Sequence, residues 1–218
     1  MGSYDGKLYC LSSGGELLWD FDAGSRIWAS PVASGDAAFF GDLGGRMYCL
    51  DLASGRARWS VEAGGKIYGS PVLGDGRVYF GASSGKVASH SAADGREVWK
   101  YTRRGSVSSS LALGGGALLV GFEDKSFVAL APADGTVLWE TTLPGEVRSR
   151  PAVTPGTAAV TCYDGSALLI DVSRGSLLAE FKTRGSVYAT PLVDGGAIYF
   201  GDMKGDFIAL SATGLPSD

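Results

Sequence analysis

The sequence contains no asparagine and no glutamine. A site built on side-chain amides is therefore excluded. Imidazole chemistry rests on one residue, His90. A Ser-His-Asp or Cys-His nucleophile would have to use it. A zinc site, which needs three or four N, S or O ligands, would find little else to draw on. The three cysteines, Cys10, Cys49 and Cys162, are dispersed and odd in number, so no disulfide framework is expected. As free thiols they favour a reducing compartment. No run approaches about 18 apolar residues, which leaves no membrane insertion to expect. Basic runs are also missing, and 19 basic against 23 acidic residues give a net charge of −4. Neither nucleic acid nor an anionic lipid surface is an expected partner. The first residues, Met1-Gly2-Ser3-Tyr4-Asp5-Gly6, have neither the cationic nor the apolar stretch of a secretory signal. The cytoplasm is favoured on that ground, with the periplasm or the exterior open if a leader has been removed. Finally, no segment holds a helical apolar period over about 11 residues.

Glycine is what abounds, at 34 of 218 residues. So many turn formers imply many short strands. The turns recur on one period. Trp19, Trp59, Trp99 and Trp139 stand 40 residues apart. Ser30-Pro31, Ser70-Pro71, Ser110-Leu111, Arg150-Pro151 and Thr190-Pro191 keep the same step, as do Gly55, Gly95, Gly135 and Gly175. Repeats on this scale mean a stacked or circular architecture.

Each repeat reads as four strands, A to D. In the second they are 66–73, 77–81, 86–90 and 97–101, separated by Gly74-Asp75-Gly76, Ser83-Ser84-Gly85 and Ala92-Ala93-Asp94-Gly95. The runs are short and rich in β-branched and aromatic residues, and glycine supplies the hairpin turns. A repeat of about 40 residues with four antiparallel strands is a propeller blade. One blade cannot bury both faces, whereas a circle of blades lets each cover the next.

The repeat resembles that of the pyrroloquinoline-quinone (PQQ)-like propellers. The residues that carry the likeness are Ala29-Ser30-Pro31, Gly41-Asp42 and Asp51-Leu52-Ala53-Ser54-Gly55-Arg56-Ala57-Arg58-Trp59. The resemblance implies that Trp19, Trp59, Trp99 and Trp139 dock between neighbouring blades. The next position in the series is Ala179, so that seam is expected to be the weakest, or to be filled by Phe181. The quinone enzymes of the family hold their cofactor with a vicinal Cys-Cys disulfide, a stacking Trp, and carboxylate and amide ligands for Ca²⁺. This sequence lacks the Cys-Cys pair and all amides, so no cofactor and no metal are expected.

The expected fold is all-β: a single propeller domain of about five four-stranded blades. Repeats fall near 25–64, 65–104, 105–144 and 145–184. A last blade is made of 185–214 plus the N-terminal strands 7–21, and the ring closes by pairing of the chain ends. One strand is left over by this count, because both ends carry a C strand. That leaves open a monomer with a spare strand, an arc of a larger wheel, or a strand-exchanged dimer.

Positions that vary between repeats are free of the blade's structural demands. Four residues before the Ser of Ser-Pro stand Arg26, Lys66, Ser106, Glu146 and Ser186; two residues before it stand Trp28, Tyr68, Ser108, Arg148 and Tyr188. These lead into strand A, the innermost in the family, and alternation turns 26, 28 and 30 to one side. Arg26, Trp28, Lys66, Tyr68, Arg148 and Tyr188 form a candidate binding rim, unless the aromatics simply pack between blades. The B–C turns with Glu123 and Tyr163 are expected on the same rim. Asp42 and Asp202 occupy matching positions in the first and fifth repeats and join the candidates as a carboxylate pair, against their ordinary role in turns. His90, on a strand, is expected to be structural. The expected function is a non-catalytic scaffold or sensor module that binds protein or peptide. Relatives by resemblance include scaffolds of bacterial outer-membrane protein assembly. The alternatives are a small-ligand or carbohydrate-binding propeller that stacks ligands on Trp28, Tyr68 and Tyr188, and an enzyme with a rim carboxylate pair.

Overall fold

The computed structural model describes residues 1–211. They contain 21 strands and no helix. The chain divides into two compact halves, Met1–Ser108 and Ser109–Asp218.

The first half opens with β1 (Lys7–Leu11) and β2 (Leu17–Asp22), an antiparallel pair. A four-stranded sheet follows: β3 (Val32–Ser34), β4 (Ala37–Gly41), β5 (Arg46–Asp51) and β6 (Ala57–Glu62). Then β7 (Val72–Gly74), β8 (Arg77–Gly81), β9 (Lys86–Ser91) and β10 (Glu97–Thr102) repeat the pattern. The second half holds β11 (Ala112–Gly114), β12 (Ala117–Gly121), β13 (Ser126–Leu130) and β14 (Val137–Thr142) as one sheet. The next sheet is β15 (Ala152–Val153), β16 (Thr157–Thr161), β17 (Ser166–Asp171) and β18 (Leu177–Lys182). The last is the three-stranded β19 (Leu192–Asp194), β20 (Ala197–Gly201) and β21 (Phe207–Ser211).

Every sheet is an antiparallel meander. The third and fourth strands slip register at the same place in each complete sheet, for example between Cys49 and Leu50 opposite Trp59 and Ala57. Such a bulge turns the outer strand and re-aims its side chains.

Two expectations are adjusted. The sequence predicts strand A over 66–73, but only Val72–Gly74 join the ladder. Pro71 has no N–H to give, and the N–H of Ile67 is spent on the Asp42 carbonyl of the preceding sheet (3.0 Å). The segment before Pro71 is therefore extended without pairing to its own sheet. Second, β1 and β2 pair with each other, and among the described residues no sheet combines strands from both chain ends. The closing ladder stays an expectation. Residues 212–214 of the last expected blade lie outside the described residues.

The buried cores lie between sheets. In the first half, Phe39, Met47 and Cys49 of one sheet meet Ile67, Val78, Phe80 and Ala88 of the next. In the second, Leu119, Phe127 and Ala129 meet Val147, Val160, Leu168 and Ile170. Central strands buried on both faces read as continuous apolar runs, as β12 (ALLVG) does. Gly41 makes this approach possible. A Cβ there would stand 2.4 Å from Cγ2 of Ile67, and atoms cannot pack that closely.

Candidate functional site

In three of the repeats the segment leading into the first strand is pinned by backbone hydrogen bonds on both sides. Ile27 N–H donates to the Ser3 carbonyl (3.0 Å), and Leu43 N–H donates to the Arg26 carbonyl (2.8 Å). One repeat later, Ile67 N–H donates to Asp42 O and Ser83 N–H to Lys66 O. In the second half, Val147 N–H donates to Phe122 O and Tyr163 N–H to Glu146 O. With the backbone held extended, side chains alternate. Ile27 and Ala29 are buried while Arg26, Trp28 and Ser30 are exposed. Val147 and Ser149 are buried between the half-buried Glu146 and Arg148. The fold thus turns Arg26 and Trp28 outward and leaves Glu146 and Arg148 partly exposed.

In the first half Trp28 is 61% exposed, an unusual state for an indole. Tyr4 meets it edge to face, with ring centroids 5.4 Å apart and planes at 80°. The Arg26 guanidinium lies 5.8 Å from the Tyr4 ring centre, within reach of a cation–π contact. Lys66 is exposed and Tyr68 half-buried. Tyr4, Asp5, Arg26, Leu43 and Lys66 border a cleft of about 430 Å³.

A second cluster forms within the second half. Tyr163 and Tyr188 rings lie 4.9 Å apart, and the Arg148 guanidinium sits 5.0 Å from the first ring centre and 6.0 Å from the second. Arg148 pairs with Glu146 at 2.8 Å and with Glu123 at 3.7 Å. A hydrogen bond with Tyr163 holds the Tyr188 phenol above its ordinary pKa. The cluster's one cation is thus neutralised from within. Both clusters draw one partner from the lead-in to strand A and another from a B–C turn. Sequence reasoning placed Tyr163 on the rim but missed Tyr4. The available signal was the period, since 4 precedes 44 by one repeat.

Asp42 and Asp202 each serve their own turn. Asp42 is buried and accepts from Arg46 N–H (2.9 Å) and the Tyr48 hydroxyl (3.1 Å). Asp202 accepts from the backbone N–H of Gly185, Lys204 and Asp206 at 2.9 to 3.1 Å. His90 is buried on β9, with Nδ1 2.8 Å from the Gly95 carbonyl oxygen. Burial pushes the Cys49 thiol up to about 11 and the Cys162 thiol up to about 12, which suits neither nucleophile nor ligand. The residues present do not fit a quinone cofactor. The cysteines stand singly and two are buried, while the indoles of Trp19, Trp59 and Trp139 are engaged between sheets through N–H donation to Leu52, Ala92 and Val172 carbonyls. Trp99, the fourth of the series, is buried.

The family model of outer membrane protein assembly factor BamB, a PQQ-like repeat model, matches residues 4–215. Among solved structures, BamB from Moraxella catarrhalis aligns with a TM-score of 0.82 at 21% identity, covering 96% of this chain and 68% of that one. The computationally designed Ika8 protein aligns with a TM-score of 0.67 at 16% identity, covering 97% and 79%. No curated protein sequence matches. At such identities the structural likeness shows the fold.

Proposed function

Because the chain belongs to the family of outer membrane protein assembly factor BamB, with its PQQ-like repeats, we propose that it is a non-catalytic propeller whose rim holds a protein or peptide. The exposure of Trp28 beside Tyr4 and Arg26 carries this reading. Trp, Tyr and Arg are the side chains that anchor interfaces, because they bury much area at little conformational cost. They stand here at positions that the blade itself leaves free. The name of the family, an outer membrane protein assembly factor, points the same way. The buried, carbonyl-bonded His90 and the high-pKa thiols supply no activated nucleophile, which favours binding over catalysis.

Panning a displayed library of random peptides against the full chain tests the reading. Enrichment that disappears with Trp28→Ala supports it. Failure to enrich any sequence counts against it. A carbohydrate stacked on Trp28 is the rival, and binding on a glycan array in place of peptide would favour that.

The repeat count further supports five blades, closed by β2 alongside β21, with strand exchange between two copies as the alternative. A solution mass of one chain, with X-ray scattering that fits a ring, is the expected result. A mass of two chains favours exchange, and scattering that fits an open arc overturns closure.

A further inference from the structure

We propose that the cleft bordered by Tyr4, Arg26 and Lys66 takes an acidic, aromatic-bearing segment of an extended polypeptide. This rests on reading the rim as a protein-binding face and names the chemistry of its partner.

The first observation is charge. Arg26 and Lys66 border the same cleft. Among the described residues neither has an ion-pair partner. Some surface cations are committed, Lys7 to Asp20, Arg58 to Asp36 and Asp51, Lys182 to Asp164; others, such as Arg56, Arg174 and Lys204, have no ion pair among the described residues, so it is the shared cleft that sets Arg26 and Lys66 apart. The contrast with Arg148 is direct, because that rim cation is answered by Glu146 and Glu123. Two unanswered cations converging on one hollow, in a chain of net charge −4, mark a local field opposite in sign to the whole.

One carboxylate shares the cleft. Asp5 accepts from Lys7 N–H at 2.9 Å and from the Tyr9 hydroxyl at 2.6 Å. Those bonds, the Tyr9 hydroxyl foremost, hold its carboxyl below the ordinary carboxylate range. Asp5 is thus bonded to its own turn, whereas the Arg26 guanidinium lies against the Tyr4 ring with no ion-pair partner among the described residues.

The second observation is an exposed aromatic pair: Tyr4 lines the cleft, and Trp28, outside the lining, packs against Tyr4. Trp28 and Tyr4 are 61% and 53% exposed and touch each other. An apolar or aromatic side chain laid there would cover both rings while its acidic neighbours meet Arg26 and Lys66. The volume of about 430 Å³ fits a few side chains, the scale of a ligand pocket. It does not offer the row of cations that tracks a nucleic-acid backbone or the polybasic patch that holds an anionic membrane. Complementary charge of this kind selects partners and speeds encounter more than it adds affinity.

The test uses the full chain and two fluorescein-labelled heptapeptides read by anisotropy. One carries glutamates on both sides of a central tryptophan, and the other carries lysines in their place. The acidic peptide is expected to bind and to weaken with added salt, and the basic one to bind at least about tenfold less well. Lys66→Glu, at an exposed side chain, and Arg26→Gln should each weaken the acidic peptide about fivefold or more. Both variants should keep the wild-type melting temperature. Trp28→Ala should weaken it as well. Equal binding of both peptides, or acidic-peptide binding indifferent to Lys66→Glu, overturns the proposal. Capture by anionic phosphatidylglycerol vesicles without peptide binding overturns it in favour of a lipid surface. If library panning enriches Trp28-dependent sequences without acidic residues, the rim still binds peptide and only this inference falls.

Discussion

Trp59 and Gly95 share one space: a Cβ on Gly95 would stand 2.7 Å from Cδ2 of the Trp59 indole. The ring's Nε1–H donates to the Ala92 carbonyl at 3.0 Å, so both its face and its edge are used. Gly95 has φ of +74°, a conformation that glycine adopts without strain. Trp59→Ala is expected to cost about 3 kcal/mol, read from urea denaturation. Gly95→Ala should cost about 2 kcal/mol from strain and collision together. The double variant should cost less than the sum, since removing the indole removes the collision. Full additivity would show that the two do not touch.

The same pairing recurs as Trp19 with Gly55 and Trp139 with Gly175, but the series breaks at Ala179. There the second half has a cavity of about 590 Å³ lined by Ala179, Leu178, Phe181, Ile198 and Leu210 among others. Phe181 is 41% exposed and does not fill that volume. Ala179→Trp should raise stability by about 1 kcal/mol, as cavity filling commonly does, and the melting temperature by a few degrees. A lower melting temperature would mean that the gap is shaped against an indole.

His90 makes stability depend on pH. Its Nε2 has no hydrogen-bond partner among the described residues. Burial holds the ring's pKa below 6.5, against the Gly95 carbonyl and Glu97, 3.8 Å away, which raise it. Lys86 also faces it and lowers it. In the unfolded chain the imidazole takes its proton near pH 6.5, whereas the folded ring waits for a lower pH. Stability should therefore be full above about pH 7 and fall as acid is added through that window. His90→Phe should flatten this part of the profile in urea midpoints. An unchanged slope would assign it to other groups.

The three thiols should separate by burial. Cys10 is half-buried, and Cys49 and Cys162 are buried. With a thiol reagent near neutral pH, one equivalent is expected to react while the protein is folded and two more on unfolding. Fast reaction of all three would show that the inter-sheet cores open readily.

Trp28 should be separable from stability. Trp28→Ala, at an exposed ring, is expected to shift unfolding by less than about 0.5 kcal/mol. A loss near that of Trp59→Ala would place the ring in the frame instead of the recognition face.

Much of the frame was readable in the sequence. Hairpin turns had to fall at the repeating glycines, and β20 runs over Ala197–Gly201 as those turns require. What stayed hidden depended on contacts between sheets. The first strand of each sheet shortened because its N–H groups bond backward, as Ile67 does to Asp42, and no local pattern records that. Gly95 read as a turn former, which it is, but its bareness under Trp59 spans 36 residues. On the rim, the outward side of the lead-in followed from alternation. The partners Tyr4 for Trp28 and Tyr163 for Tyr188 came from neighbouring turns, visible only through the period.

The lead-ins that bear Arg26 and Trp28 and that bear Glu146 and Arg148 hang from the same backbone hooks despite their different side chains. Arg26 and Trp28 can therefore be exchanged for Glu146 and Arg148 with little cost to the frame. The side chains at these positions are interchangeable cassettes on a fixed chassis, and a lineage or an engineer can rewrite one without disturbing the rest.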